Sequence, residues 1–235
     1  MTVSKQKFEV KTSWDGSQLP ETDIVSVSFS CEHVDGKSEP EMRIKLDAPF
    51  YDNPPPKSTK DGSSCACLWE FEVVEIFLKG RMDKYIEIEL SPHDEYLILA
   101  MDGHRQCFHE ALRPLSYKCG IVSHRWWAEL VIPFSYLPPP FVAGSCSLFT
   151  FNVYALHNDR EGSRRCAALF PSSESFDYDS PDTHRLHLFE GLPREVTSPY
   201  FDAAPEIFAA NSSVWKERIG AELRKSTSFT PIDWD

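Results

Sequence analysis

A chain of 235 residues with 41% hydrophobic content can bury a core without disulfide staples and has room for one large domain with an extension. Its formal net charge of −12 argues against a nucleic-acid surface, because phosphate binding needs clustered Lys and Arg and no such stripe occurs, and it disfavours anionic membranes too. No apolar run approaches the roughly 20 residues that cross a bilayer, and MTVSKQKFEV lacks the apolar segment of a secretory signal, so the expected location is cytoplasmic.

Along the chain, Val25, Val27 and Phe29 alternate with polar residues in the period of a half-buried strand, and so do Met42, Ile44 and Leu46. A long connection over residues 50–66 carries NPPP and then KSTKDGSS, which are loop residues. The next apolar run, LWEFEVVEIFLKG at 68–80, precedes the alternating Ile86, Ile88 and Leu90. Residues 96–101 and 148–156 are more continuously apolar, and Trp126, Ala128, Leu130 and Ile132 alternate again. Asp15-Gly16, Asp35-Gly36, Asp61-Gly62, Asp102-Gly103 and Pro138 to Pro140 mark turns or rigid connectors. With no long helical run between the strands, this spacing predicts an all-β antiparallel sandwich over residues 1–196. In the extension, 197–235, Trp215, Ile219 and Leu223 recur every four residues and predict one amphipathic helix on the flank.

Seven cysteines at 31, 65, 67, 107, 119, 146 and 166 form no disulfide framework and are expected mainly as small, reduced core residues. Trp126 and Trp127 must point to opposite faces of a strand, with the outward ring expected to pack beneath the tail helix.

Glu75 sits in the middle of the apolar run 68–80, where an unpaired buried carboxylate costs several kcal/mol. Pairing residues 69–78 with 84–91 as a hairpin, Phe77 opposite Tyr85, gives a core face of Val74, Ile76, Leu78, Ile86, Ile88 and Leu90. The other face mixes Trp69, Phe71, Val73 and Phe77 with Glu75, Glu87 and Glu89. In that register Glu75 opposes Glu87, a repulsion that a cation, a proton or a hydroxyl-rich ligand must relieve. Arg164, Arg165, Arg105 and Arg125 are candidate partners. Aromatic planes beside carboxylate acceptors suit a sugar, whose C–H face lies on an indole while its hydroxyls donate to carboxylates. The same letters also fit a Glu–Arg pair buried inside a sandwich.

The runs LWEFEVVEIFL and YIEIELSPHDEYLIL resemble the signature of family-nine carbohydrate-binding modules, which are β-sandwiches. Together with SWDG at 13–16, APFYDNPPP at 48–56, ALHND at 155–159 and ALFP at 168–171, the pattern over roughly residues 8–190 is similar to a narrower group. That group is a family of uncharacterised animal proteins named only for an open reading frame on chromosome four. The sugar-binding resemblance implies a stacking role for Trp69 and a hydroxyl-accepting role for Glu75. It offers Asn158 as a nearby polar contact and Phe170 in place of a second clamping tryptophan.

The expectation is therefore a non-catalytic protein that recognises a small sugar, polyol or glycan end through Trp69, Glu75, Glu87, Asn158, Arg164 and Phe170, with no cofactor and no metal. Two alternatives stay open: an interaction or scaffolding sandwich that binds a protein partner, and a sugar-acting hydrolase using the glutamates as acid and base. No phosphate-cradling, dinucleotide or nucleophile-elbow motif occurs. Cys65, Cys67, His104, Cys107 and His109 match no strong zinc spacing, and no EF-hand loop is present.

Overall fold

The computed structural model describes residues 5–32, 34, 36–37, 40–55, 67–80, 84–103, 106–109, 112–138, 141–143, 146–159, 161–171, 196–197 and 215. Two antiparallel sheets make up the fold. The smaller runs β1 (Lys5–Val10), β3 (Val25–Glu32), β4 (Glu41–Pro49), β10 (Arg125–Pro133) and β9 (Ser116–Val122), in that spatial order. The larger runs β2 (Thr12–Ser13), β13 (Arg164–Ala168), β12 (Cys146–Asn158), β5 (Val73–Lys79), β6 (Lys84–Leu90), β7 (Tyr96–Asp102) and β8 (Cys107–His109). Two short strands, β11 (Phe141–Ala143) and β14 (Val196–Thr197), also pair with β12.

Period-2 alternation explains the core. Val25, Val27, Met42, Ile44, Leu46, Trp126 and Leu130 turn inward from the smaller sheet, and Val74, Ile76, Ile86, Ile88 and Val153 meet them from the larger. Phe8, Phe29, Phe151 and Phe170 pack edge to face at one side of this layer, with ring centroids 4.8 to 6.0 Å apart. Every alternating run identified in the sequence lies on a strand. Gly16, at φ +87°, closes the turn after Ser13-Trp14-Asp15 in a conformation that L side chains rarely adopt.

Trp126 and Trp127 do point opposite ways: the first is 1% exposed and the second 41%. Trp127 is therefore open to solvent, not packed away as expected; its indole lies over Gly120, where an added Cβ would come within 2.9 Å of Nε1. Of the four cysteines Cys67, Cys107, Cys119 and Cys166, only Cys166 is buried, so the expected core role holds for one of these. The expected tail helix falls outside the described residues except for Trp215. That indole is buried edge-on against Phe108 and donates from Nε1 to the Tyr136 carbonyl at 3.1 Å.

Candidate functional site

The β5–β6 hairpin pairs Lys79 with Tyr85, Phe77 with Glu87 and Glu75 with Glu89. This register is two residues from the expected one. The Gly80 N–H donates to the Lys84 carbonyl and carries the ladder one step further than a turn starting at Lys79 allows. A two-residue offset leaves every side chain on its expected face. It makes Glu89, not Glu87, the direct neighbour of Glu75.

That outward face is not an open groove. Val73, Phe77, Tyr85, Leu97, Leu99 and Met101 form a second apolar cluster on it, closed by Trp14, Leu68 and, half-buried, Trp69. Trp69 sits in a single 3-10 turn, Leu68–Glu70, ahead of β5, and so is not on the strand itself. Glu75, Glu87 and Glu89 are 2%, 1% and 0% exposed, and one oxygen of each lies within 4.8 Å of the others. Up to three negative charges so close persist only with compensation by protons or cations. Oxygen donors of this kind could contribute to holding a hard divalent ion, which takes six or more oxygens in the case of Ca²⁺. Positive charge already stands beside them: Glu75 favours the charged form of the Arg164 guanidinium, against the burial that lowers its pKa.

Arg164 gathers the expected residues. One guanidinium nitrogen donates to the Trp69 carbonyl and another to Asn158 Oδ1 at 3.4 Å, and Asn158 is its direct partner across β12–β13. Trp69, Glu75, Glu87, Asn158 and Arg164 are thus brought together. Phe170 is not: it packs on the inter-sheet core, on the opposite face of the larger sheet from Trp69, and cannot clamp a ligand against that indole. Of the other candidate cations, Arg165 pairs with Asp159 and Arg125 with Asp47, while Arg105 lies outside the described residues.

A different concavity opens at one end of the sandwich. Alternation along β12 and β13 sends Asn158, Leu156, Arg164 and Cys166 outward, and sends His157, Ala155, Arg165 and Ala167 toward the space between the sheets. There they help line a pocket of about 400 Å³. Val25, Ala48, Val74 and Trp126 line it from the core, and Tyr51 and Trp14 add aromatic surface. Ser13, Asp15, Ser17, Asp23, Glu72, His157, Asp159 and Arg165 supply the polar groups.

These groups are held in place. Both oxygens of the buried Glu72 carboxylate accept backbone N–H groups, from Tyr51 at 3.0 Å and Asn53 at 3.1 Å, which fastens the loop after β4. Asn53 closes the other side by exchanging two hydrogen bonds with the Asn158 backbone. Tyr51 and His157 stack face to face, with ring centroids 3.5 Å apart. Burial, and secondarily Arg164, pulls the His157 pKa down to about 4, so the imidazole is neutral near neutral pH. Burial raises the Tyr51 phenol, reinforced by Asp23 and Glu72. Asp15 accepts from the Ser13 hydroxyl and from the Ser17 N–H and hydroxyl, which bring its pKa down to about 2. Burial raises the pKa of Glu72 in spite of its two N–H donors.

Reasoning from the Glu75 run missed this pocket, although its residues were in view. Ser13, Trp14 and Asp15 come from SWDG, Ala48, Pro49 and Tyr51 from APFYDNPPP, and Ala155, Leu156, His157 and Asp159 from ALHND. Three segments far apart in sequence, each mixing aromatic and polar residues at a strand end, were the available signal.

Fold and pocket together define an antiparallel two-sheet protein with a ligand-sized hollow between its sheets. The chain is 32% identical over 188 residues to the UPF0462 protein C4orf33 homolog of Mus musculus, which covers 78% of this chain and 88% of the relative. It is 30% identical over 188 residues to the UPF0462 protein C4orf33 of Homo sapiens, covering 79% and 86%. The chain belongs to the UPF0462 family. No protein-family model matches it. Among solved structures it is similar to a putative carbohydrate-binding protein from Bacteroides uniformis, with TM-score 0.46 and 15% identity over 77% of this chain and 84% of that one. A family-nine carbohydrate-binding module from Caldicellulosiruptor kristjanssonii in complex with glucose gives TM-score 0.36 and 12% identity over 70% and 74%.

Proposed function

We propose that this chain is a non-catalytic binding protein for a small hydroxylated ligand, a sugar or polyol, and that the ligand seats in the pocket at the end of the sandwich. The observation that carries this reading is the pocket itself, whose size falls in the range of about 300–1,000 Å³ usual for small-molecule sites. Trp14 and Tyr51 add aromatic surface for a ring's C–H face, and Ser13, Ser17, Asp15 and Asp23 offer acceptors for its hydroxyls. Trp69 and Glu75 offer less, because the carboxylate is sealed beneath the second apolar cluster. Isothermal titration with mono- and disaccharides tests the reading: binding should survive Trp69→Ala and be lost in a folded Tyr51→Ala variant. Loss in Trp69→Ala alone would return the ligand to the outer face, and saturating sugars without heat would reject sugar recognition.

A second reading, as a protein-interaction domain, draws on exposed Leu115, Ile121, Val122 and Trp127 around β9. A Trp127→Ser, Val122→Ser double variant should then lose a partner captured by the wild type while sugar titrations stay unchanged. Equal capture by both proteins would dismiss this surface.

A further inference from the structure

The charge around the end pocket is one-sided. Asp15, Asp23, Glu72 and Asp159 contribute carboxylates to its lining, and Arg165 is the one guanidinium among the described lining residues. That guanidinium is already committed, with Nε donating to Asp159 Oδ2 at 2.8 Å and Nη2 at 2.6 Å. Arg125, whose charge also reaches Tyr51, is committed too: it bonds Asp47 and donates to the Thr22 and Ile24 carbonyls at 3.0 and 2.9 Å. Glu72 accepts two backbone N–H groups, and His157 brings no positive charge near neutral pH. Asp15 is exposed and Asp23 half-buried where they line the pocket, and among the described residues neither is held in an ion pair. All the hydrogen bonds of Asp15 fall on Oδ1.

Anionic groups in the lining of a pocket that also carries Trp14 and Tyr51 are complementary to a compact organic cation. Carboxylates attract an ammonium, and aromatic lining beside them suits its C–H surface. An anionic ligand would meet repulsion from the same groups, and a neutral polyol would use only part of what the pocket offers.

We propose that the end pocket selects a ligand bearing a cationic amine, with an aminated sugar or amino-polyol as its chemical class. This rests on the sugar or polyol reading above and sharpens it from hydroxyl recognition to recognition of hydroxyls with one positive charge. Asp23 and Asp15 are the residues that read the charge, and the aromatic lining reads the ring.

Three probes of one ring size separate the charge from the ring: glucose, glucosamine and glucuronate, titrated calorimetrically into the full chain at mildly acidic pH, where the amine is protonated and His157 still neutral. The expected result is glucosamine binding roughly fivefold to tenfold tighter than glucose, with glucuronate weakest. Raising ionic strength should narrow the gap between glucosamine and glucose, because screening weakens the charged contact and leaves the ring contact in place. Asp23→Asn, which keeps an acceptor beside the Tyr51 hydroxyl, should also narrow it. The salt series on the wild type gives the same readout should that variant unfold. Equal binding of glucose and glucosamine, or tightest binding of glucuronate, overturns the amine inference and leaves sugar recognition standing. No binding of any of the three overturns both.

Discussion

The rings of Tyr51 and His157 lie face to face, 3.5 Å between centroids and 1° from parallel, one from the loop after β4 and the other from the end of β12. This contact joins the two sheets at the mouth of the pocket and buries an imidazole against a phenol. Because burial disfavours the imidazolium, the folded chain refuses a proton until about pH 4 that the unfolded chain accepts near the usual 6.5. The stabilisation tied to neutral His157 is whole above that upper value, declines as pH falls through the window and is gone below about 4. His157→Phe keeps a ring against Tyr51 and removes the titration, so urea melts across this range should show a smaller stability loss in the variant than in the wild type. Glu72 acts with the opposite sign, since its raised pKa lets the folded state take a proton more readily, which is why the variant's difference from wild type is the quantity to measure.

Glu72 accepts one backbone N–H at each oxygen, and no neutral side chain of its shape can do both. Glu72→Gln turns an amide donor toward one of those N–H groups and should cost about 1–3 kcal/mol in denaturant melts. It also releases the loop that carries Tyr51, so sugar affinity should fall through the loop. Unchanged stability would show that the loop is held by other contacts.

Arg164 and the carboxylates behind it should behave as one electrostatic unit. Arg164→Met leaves buried negative charge less compensated and takes donors from the Trp69 carbonyl and Asn158, which should destabilise the protein by about 3–5 kcal/mol. Adding Glu75→Gln to that variant should recover part of the loss. In a double-mutant cycle the coupling is expected to exceed about 0.5 kcal/mol; independent, additive effects would show that Arg164 is not the counter-charge of Glu75.

Much of the architecture could be read from side-chain period. Val25–Phe29, Met42–Leu46, Ile86–Leu90 and Trp126–Ile132 each alternate because their apolar faces turn to the inter-sheet core, and each is a strand. The hairpin register could not be read the same way: offsets of two keep the faces and differ only in where Gly80 ends the turn. Five of the six expected site residues come together, since Trp69 and Glu75 share one run, Glu87 lies on the strand paired with it beside Glu75, and Asn158 and Arg164 face each other across a hairpin. What alternation does not disclose is whether a mixed aromatic and acidic face lies open or beneath a second apolar layer. That depends on Trp14, which arrives from elsewhere in the chain, and on the turn at Leu68 that precedes β5. The end pocket was hidden for a related reason: Asp23, Tyr51, Glu72 and His157 have no shared spacing and meet only when four strand ends converge.

Where a guest sits can be watched directly by following backbone amides and tryptophan indole N–H signals in two-dimensional NMR during titration with glucosamine and, separately, glucose. Occupancy between the sheets predicts saturable shifts at Ser17, Tyr51, His157 and the Trp14 indole, with the Trp69 indole nearly still. Shifts centred on Trp69 and Arg164, with Tyr51 and His157 unmoved, would contradict it.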